Sequence, residues 1–357
     1  MNKLSRPPGS AVTAVEVGRR AGVSQSAVSR AFTPGKSISA KTREKVLKSA
    51  DELGYRPNLI ARSLVTRRSN IVGLAVPPIE NPFYSNLVNQ LSQALLLSGR
   101  HLLLFPAQSQ NDPDPQIDEV LSYHVDALIL ASTTLSSTLA DRCRSMGVPV
   151  LLINRSSPLE SVSTITGENR KGGEVIARFL LAGGHKRIAH IAGLEYTSTS
   201  RDREAGFIEG LREGGAKVFA RAVGDYSVQH AVIAVRSLLD RAKRPDAIFV
   251  ANDYMALPVM QTIRNEYGLR VPEDVSIVGF DGIRDTSYAG IGLTSYSQPV
   301  AGFVAGVMSL IDSLIEDPGA QTARREVAGD LIVRSSARLP RKGLIEKDGD
   351  RIWQPDR

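Results

Sequence analysis

From residue 71 to residue 281 the chain alternates short apolar runs with longer segments of helical periodicity. That rhythm limits the fold more than any other feature. Strands are expected at 71–76, 101–105, 127–130 and 148–153, with helices at 83–98, 114–124 and 138–146 between them. The rhythm restarts after Gly172 and Gly173. Strands then fall at 187–192, 217–220, 247–251 and 275–279, and helices at 201–213, 228–242 and 254–267. Repeated β-α-β units build a parallel sheet, because the crossover helix returns the chain to the same edge. The expectation is an α/β body of two doubly wound parallel-sheet halves with a ligand cleft between them. In such sheets ligands sit outside the carboxyl ends of the strands. Asn81 and Phe83, Asn154 and Arg155, Asn252 and Asp253, and Asp281 fall at those ends, and Arg201 opens a helix after the strand at 187–192. Asn252 and Asp253 have a second reading, as caps of the helix that follows.

The first 70 residues are of another kind. The chain holds 357 residues with 44 Lys+Arg and 37 Asp+Glu, a formal charge of +7. Residues 1–70 hold 14 of the basic and only four of the acidic side chains, so the head is strongly cationic and the body mildly acidic. A basic head on such a body suggests that the head alone meets a polyanion. Residues 1–11 read as a loose tail. A short helix over 12–21 is broken by Gly22. Ser24 caps a second helix over 25–32, and Ser39 a third over 40–53, with Val46, Leu47, Ala50 and Leu53 inward and Gly54 as its stop. Helix, glycine turn and helix in about twenty residues is a helix-turn-helix. Gln25, Ser26 and Ala27 would face base edges, with Ser29 and Arg30 further along. Gln pairs bidentately with adenine and Arg with guanine, while basic neighbours neutralise phosphates. A plain three-helix bundle with a solvated polar face is the blander alternative.

The string VEVGRRAGVSQSAVSRAF at 15–32, with SAKTREKV at 39–46 and ELGYRPN at 52–58, resembles the DNA-binding head of the lactose/galactose/purine repressor family. The resemblance implies that Ser24, Gln25, Ser26, Ser29 and Arg30 lie at an operator. Gly18 departs from the alanine common there, which alters a packing site on the first helix.

After Pro57, Asn58 can cap a segment of about two turns over 59–65. It is too short to be stable alone in water, so it needs a partner to order. Ala61 and Leu64 share one face. In the resembling family two such hinge helices meet across a dimer axis and enter the minor groove. There Leu64 matches the residue that wedges between base pairs. Packing of Leu64 on the body is the alternative from spacing alone.

The body resembles the same family, and its periplasmic sugar-binding relatives, over about 70–339. The matching strings are NPFY at 81–84, GHKRIA at 184–189, RDREAGF at 201–207, ANDYMAL at 251–257, VPEDVSIVGFD at 271–281 and LIVR at 331–334. The resemblance implies an effector pocket lined by Phe83, Asn154, Arg201, Tyr226, Asn252, Asp281 and Gln298. Asn154 replaces an aspartate found in some sugar-binding members. It also implies a head at 1–57, a hinge at 58–69 and a body at 70–340. One half of that body would hold 70–167 and 300–326, the other 168–299 and 327–340. A polar tail at 341–357 lacks the leucine heptad of tetrameric members, so a homodimer is expected.

Function follows as an expectation: a ligand-responsive regulator, usually a repressor, of carbohydrate uptake or catabolism. As a dimer it would bind a near-palindromic double-stranded operator, with a small sugar-like effector changing its affinity. No catalytic set, cofactor or metal is expected. One cysteine, Cys143, makes no intrachain disulfide or Cys/His zinc cluster. The start lacks an apolar leader core, and no run approaches the roughly 18 apolar residues of a membrane span, so a soluble cytoplasmic protein is expected. The alternatives are a solute-binding protein for a transporter and a nucleotide- or NAD-dependent enzyme. The basic head opposes the first. The second lacks a glycine-rich phosphate loop after any strand.

Overall fold

The computed structural model describes residues 12–33, 35–56, 68–77, 79–106, 117–131, 136–317 and 321–355. The hinge positions Asn58, Ala61 and Leu64 and the tail 1–11 lie outside them. The chain divides into two compact units, Met1–Ser69 and Asn70–Arg357.

Among the described residues the head holds three helices, α1 (Ala14–Ala21), α2 (Gln25–Ala31) and α3 (Ala40–Leu53). Each begins at a hydroxyl cap. Thr13 accepts from the Glu16 amide at 3.3 Å, and the Glu16 carboxylate accepts from the Thr13 amide at 2.7 Å, a reciprocal capping box. Ser24 accepts from the Ala27 amide and Ser39 from the Thr42 amide, both at 3.2 Å. Val17, Val28, Ala31, Val46 and Ala50 form a small core, edged by Phe32 against Tyr55. Leu47 was expected inward but is exposed, with Ser49 buried instead. The inward stripe of α3 follows Val46, Ser49, Ala50 and Leu53, one residue round from Leu47. Thr13→Ala should cost the first helix about 1 kcal/mol. That is read as roughly fivefold faster amide exchange across α1, with the body helix Asn169–Ala182 unchanged.

The body has two sheets. The first comprises β1 (Ile71–Val76), β2 (His101–Pro106), β3 (Ala127–Ala131), β4 (Val150–Ile153), β5 (Ser163–Gly167) and β11 (Arg324–Val327), in the order β11-β5-β4-β3-β1-β2 and all parallel. Helices α4 (Pro82–Leu97), α5 (Ile117–Ser122), α6 (Ser137–Ser145) and α11 (Val300–Glu316) belong to this lobe. α4 starts where the Asn81 side chain accepts from the Phe83 amide and Pro82 takes the first turn, a position that needs no N–H donor. Its Phe83, Leu87, Leu91 and Leu95 are buried four residues apart, against Val72, Leu74 and the Phe303 side of α11.

The second lobe carries β6 (Ile188–Ala192), β7 (Ala220–Val223), β8 (Ala247–Val250), β9 (Ser276–Asp281), β10 (Thr294–Ser297), β12 (Leu331–Ile332), β13 (Leu344–Lys347) and β14 (Asp350–Trp353). Their order is β13-β14-β12-β10-β9-β8-β6-β7. Its helices are α7 (Asn169–Ala182), α8 (Ser198–Glu213), α9 (Val228–Leu239) and α10 (Asp253–Asn265). Gly172 and Gly173 do not precede this lobe's first element. They lie inside α7, where Gly172 faces the Phe280 and Tyr296 rings and Gly173 lets α8 approach. A Cβ on Gly173 would sit 2.1 Å from the Arg203 carbonyl, and one on Gly206 would sit 1.8 Å from the Arg170 carbonyl. β7 lies three residues later than expected.

The tail at 341–357 is not a polar appendage. Asp348 and Gly349, both at positive φ, turn β13 back onto β14, and β14 pairs antiparallel with β12. The turn is a two-residue type with two left-handed positions, which Asp-Gly suits. Trp353 is buried edge-on to Phe179, 5.6 Å between centroids, and its indole donates to the Lys342 carbonyl. An apolar ring with one polar edge is what anchors this segment to the lobe.

Candidate DNA-reading head and ligand cleft

In the head, Ser24, Gln25, Ser26, Ser29 and Arg30 are exposed on α2, while Ala27 is half-buried beside the buried Val28. Arg30 Nε donates to the Ser26 carbonyl at 3.3 Å, and the Ser24 and Ser26 hydroxyls stand 2.9 Å apart. Gln25 and Arg30 supply the bidentate chemistry that reads base edges. The head's core turns the opposite side of α2 inward, so this polar face is left to solvent.

In the body, a cavity of about 540 Å³ opens between the lobes. Phe83 and Ser85 of α4, Asp281 at the end of β9, Ile283 and Arg284 beyond it, and Gln298 are among the residues that line it. Three of the seven expected effector residues, Phe83, Asp281 and Gln298, thus share one cavity. Asp281 is buried and held in place. Gln298 Nε2 donates to its Oδ1 at 2.7 Å, and the Arg203 guanidinium pairs with the same oxygen at 3.2 Å. Burial pushes the Asp281 carboxyl above the usual range, against the pull of Arg203 and Gln298.

Arg203, rather than Arg201, is the guanidinium of this site. Two residues along a helix turn the side chain by about 200°, so the two arginines of RDR face opposite ways. Arg201 is exposed. Arg203 is buried, donates from Nε to Asn169 Oδ1 at 2.9 Å and from Nη1 to the Ala251 carbonyl at 2.6 Å, and lies 3.8 Å over the Phe280 ring. Arg203 stands three residues before Gly206, on the face of α8 that packs on α7.

The remaining expected residues sit around this network. Asn154 is buried, and its amide lies 3.4 Å from the Tyr84 hydroxyl. Beside it the buried Arg155 feels the phenols of Tyr84, Tyr226 and Tyr196, and burial lowers its pKa. Tyr226 is half-buried, its hydroxyl 3.4 Å from that of Thr199. Asn252 is buried, and its side-chain oxygen accepts from the Met255 amide at 3.0 Å, which makes it the cap of α10. Asp253 is fully buried and also structural, accepting from the Ser295 hydroxyl at 2.6 Å and the Ile283 amide at 3.0 Å. Three non-glycine residues of the expected set, Asn154, Tyr226 and Asp281, have φ between 55° and 116°. Such backbone persists only where surrounding structure enforces it, and it clusters at ligand sites. Among the described residues no three His, Cys, Asp or Glu side chains gather as a metal site. No described helix is long and apolar enough to cross a membrane.

Residues 13–58 match the family of bacterial regulatory proteins, lacI family, and residues 177–337 match the periplasmic binding protein-like domain. The HTH-type transcriptional regulator CelR of Thermobifida fusca is 33% identical over 325 residues, 88% of this chain and 95% of that protein. A solved transcriptional regulator CelR–cellobiose complex superposes with a TM-score of 0.69 at 31% identity, covering 91% of this chain and 100% of that one. The lac repressor dimer bound to operator and the anti-inducer ONPF superposes with a TM-score of 0.81 at 28% identity, covering 92% and 99%. Similarity that runs through both head and body, at a third identity to one relative over nearly its full length, settles the descent: the chain belongs to the lacI family of bacterial regulatory proteins.

Proposed function

We propose that the protein is a cytoplasmic, homodimeric transcriptional repressor whose operator affinity is set by a small sugar-like effector in the interlobe cleft, with no catalytic step. The observation that carries the effector reading is the buried Arg203–Asp281–Gln298 network beside a cavity that Phe83 also lines. A carboxylate and a guanidinium fixed beside each other accept from and donate to neighbouring hydroxyls, and an aromatic ring covers the apolar face of a sugar. The CelR relative solved with cellobiose favours a carbohydrate over a nucleotide. Phe83, Asn154, Tyr226, Asp281 and Gln298 are the proposed effector contacts, with Arg203 in place of Arg201. Asn252 serves by capping α10. Ser24, Gln25, Ser26, Ala27, Ser29 and Arg30 are the proposed base- and phosphate-facing set, with Asn58, Ala61 and Leu64 in the hinge. An effector changes operator affinity only through unequal affinity for two body conformations.

The test is a gel-shift series on upstream intergenic DNA, after a thermal-shift screen of sugars, sugar acids and phosphosugars. Specific, salt-sensitive binding altered by a screened hit is the expected result. Failure at every intergenic site would sink the repressor reading; specific binding indifferent to every hit would sink the effector reading. Gln25→Ala should weaken the best operator by about 10- to 100-fold, a loss of about 1–3 kcal/mol, and flatten discrimination at one base position. A uniform loss across all sequences would instead make Gln25 a backbone contact.

A further inference from the structure

Three stretches of chain join the lobes, at 167–169, 297–300 and 327–331, and they lie side by side. The Glu168 amide donates to the Val327 carbonyl at 3.2 Å. Ser297 and Asp330 exchange two bonds: the Ser297 amide to the Asp330 carbonyl at 2.8 Å, and the Asp330 amide to the Ser297 hydroxyl at 3.0 Å. The Tyr296 hydroxyl reaches Glu168 at 3.4 Å. Any change of angle between lobes is absorbed in the backbone of these few residues.

The C-terminal hairpin is attached to the third of them. β14 pairs with β12 directly after Asp330, placing Trp353 opposite Leu331, and the Val333 amide donates to the Arg351 carbonyl at 2.7 Å. From the turn end of β13, Lys347 Nζ reaches Asp330 Oδ2 at 2.6 Å. Asp330 therefore binds a neighbouring crossover with its backbone and the hairpin with its side chain. The other end of the hairpin is fixed in the lobe-two core by Trp353, and Ile352 beside it is buried. The hairpin lies beyond residue 337, where the match to the periplasmic binding protein-like domain ends.

We propose that the hairpin 344–353 is a clamp on the interlobe hinge. Through Lys347 and Asp330 it ties the third crossover to the rigid core of lobe two, and it narrows the range of angles the cleft samples. Its consequence for effector affinity rests on the cleft reading above, because a cleft held nearer its binding angle loses less to conformational selection. The mechanical claim does not rest on that reading. A hairpin that merely covers the sheet edge would also pair with β12. It would have no need of Lys347.

The experiment measures interlobe distance in the full chain without ligand. Spin labels go on Met146→Cys in lobe one and Ile233→Cys in lobe two, both exposed, and the buried Cys143 stays in place. Labelled protein is diluted into unlabelled protein so that distances within one chain dominate. Lys347→Glu should broaden the distance distribution and add a longer component, and Lys347→Glu with Asp330→Lys should restore it. A chain ending at Arg341 should broaden it further. If Lys347→Glu leaves the distribution at the wild-type width, the clamp is wrong and the hairpin only covers an edge. If the shortened chain does not fold, the two full-length variants decide the matter. Because no effector is used, failure here leaves the cleft reading standing, and failure of the sugar screen leaves the clamp standing.

Discussion

Arg203→Ala is expected to destabilise the body by about 3–5 kcal/mol and to abolish the response to effector. The guanidinium has three buried partners besides the Phe280 ring: Asp281, Asn169 and the Ala251 carbonyl. Removing it leaves the Asp281 carboxyl in a site that is 5% exposed, with Gln298 Nε2 still donating to it. An uncompensated buried charge is expensive, so the carboxyl responds by binding a proton, in the direction that burial already pushes it. Arg203→Lys should fall between, because an ammonium cannot reproduce a planar fork aimed at several acceptors. Arg203→Met with Asp281→Leu should be milder than Arg203→Ala, since no charge is left behind. Arg201→Ala is the control and should stay within about 0.5 kcal/mol of wild type. Urea unfolding followed through Trp353 measures all four. Equal midpoints for Arg203→Ala and Arg201→Ala would remove Arg203 from the centre of this network.

That contrast also shows what a single sequence can carry. The string RDREAGF was enough to place an arginine at the cleft, and the strand-helix rhythm was enough to give two parallel-sheet lobes. Choosing between Arg201 and Arg203 needed the phase of α8, which is fixed by contact with α7 at Gly173 and Gly206. Gly173 reads as a break in the rhythm, because propensity sees lost helix stability and not the close approach that it permits. The strand-end position of Asp281 was legible, since the parallel topology puts the last residue of β9 at the carboxyl edge of the sheet, and Asp281 lines the cavity. Asn252 and Asp253 were ambiguous between site and cap, and the bonds to Met255, Ile283 and Ser295 favour structure. The hairpin was readable in principle. Leu344, Ile345, Asp348, Gly349, Ile352 and Trp353 carry apolar residues on both sides of an Asp-Gly turn, but the charges between them draw attention first. Pairing with a two-residue strand, β12, left no periodicity to find.

Below pH 6.5 the body is expected to lose stability through His190. This ring is fully buried on β6, stacked on Phe249 at 4.7 Å between centroids and near Phe207. Its Nδ1 lies 3.0 Å from the Phe249 carbonyl, and Nε2 is buried without a hydrogen-bond partner among the described residues. Burial therefore disfavours the charged ring and takes its pKa down to about 4, below the ordinary 6.5. Between those two values the unfolded chain binds more protons than the folded one, so stability rises with pH and is lost as pH falls. At roughly 1.4 kcal/mol per pH unit, the loss from pH 6.5 to pH 5 is about 2 kcal/mol. Asp253 works the other way. Burial, and then the nearby Asp281, push its carboxyl up to about 8, so its contribution declines as pH rises from about 4 through 8. The wild-type curve mixes the two slopes. The informative quantity is the difference between wild type and His190→Phe, which keeps an aromatic ring against Phe249 and cannot take a proton. That difference should move by about 2 kcal/mol in favour of the variant between pH 6.5 and pH 5. Parallel urea-midpoint curves over that range would mean that the ring titrates alike in the folded and unfolded chains, and that the burial argument fails at this position.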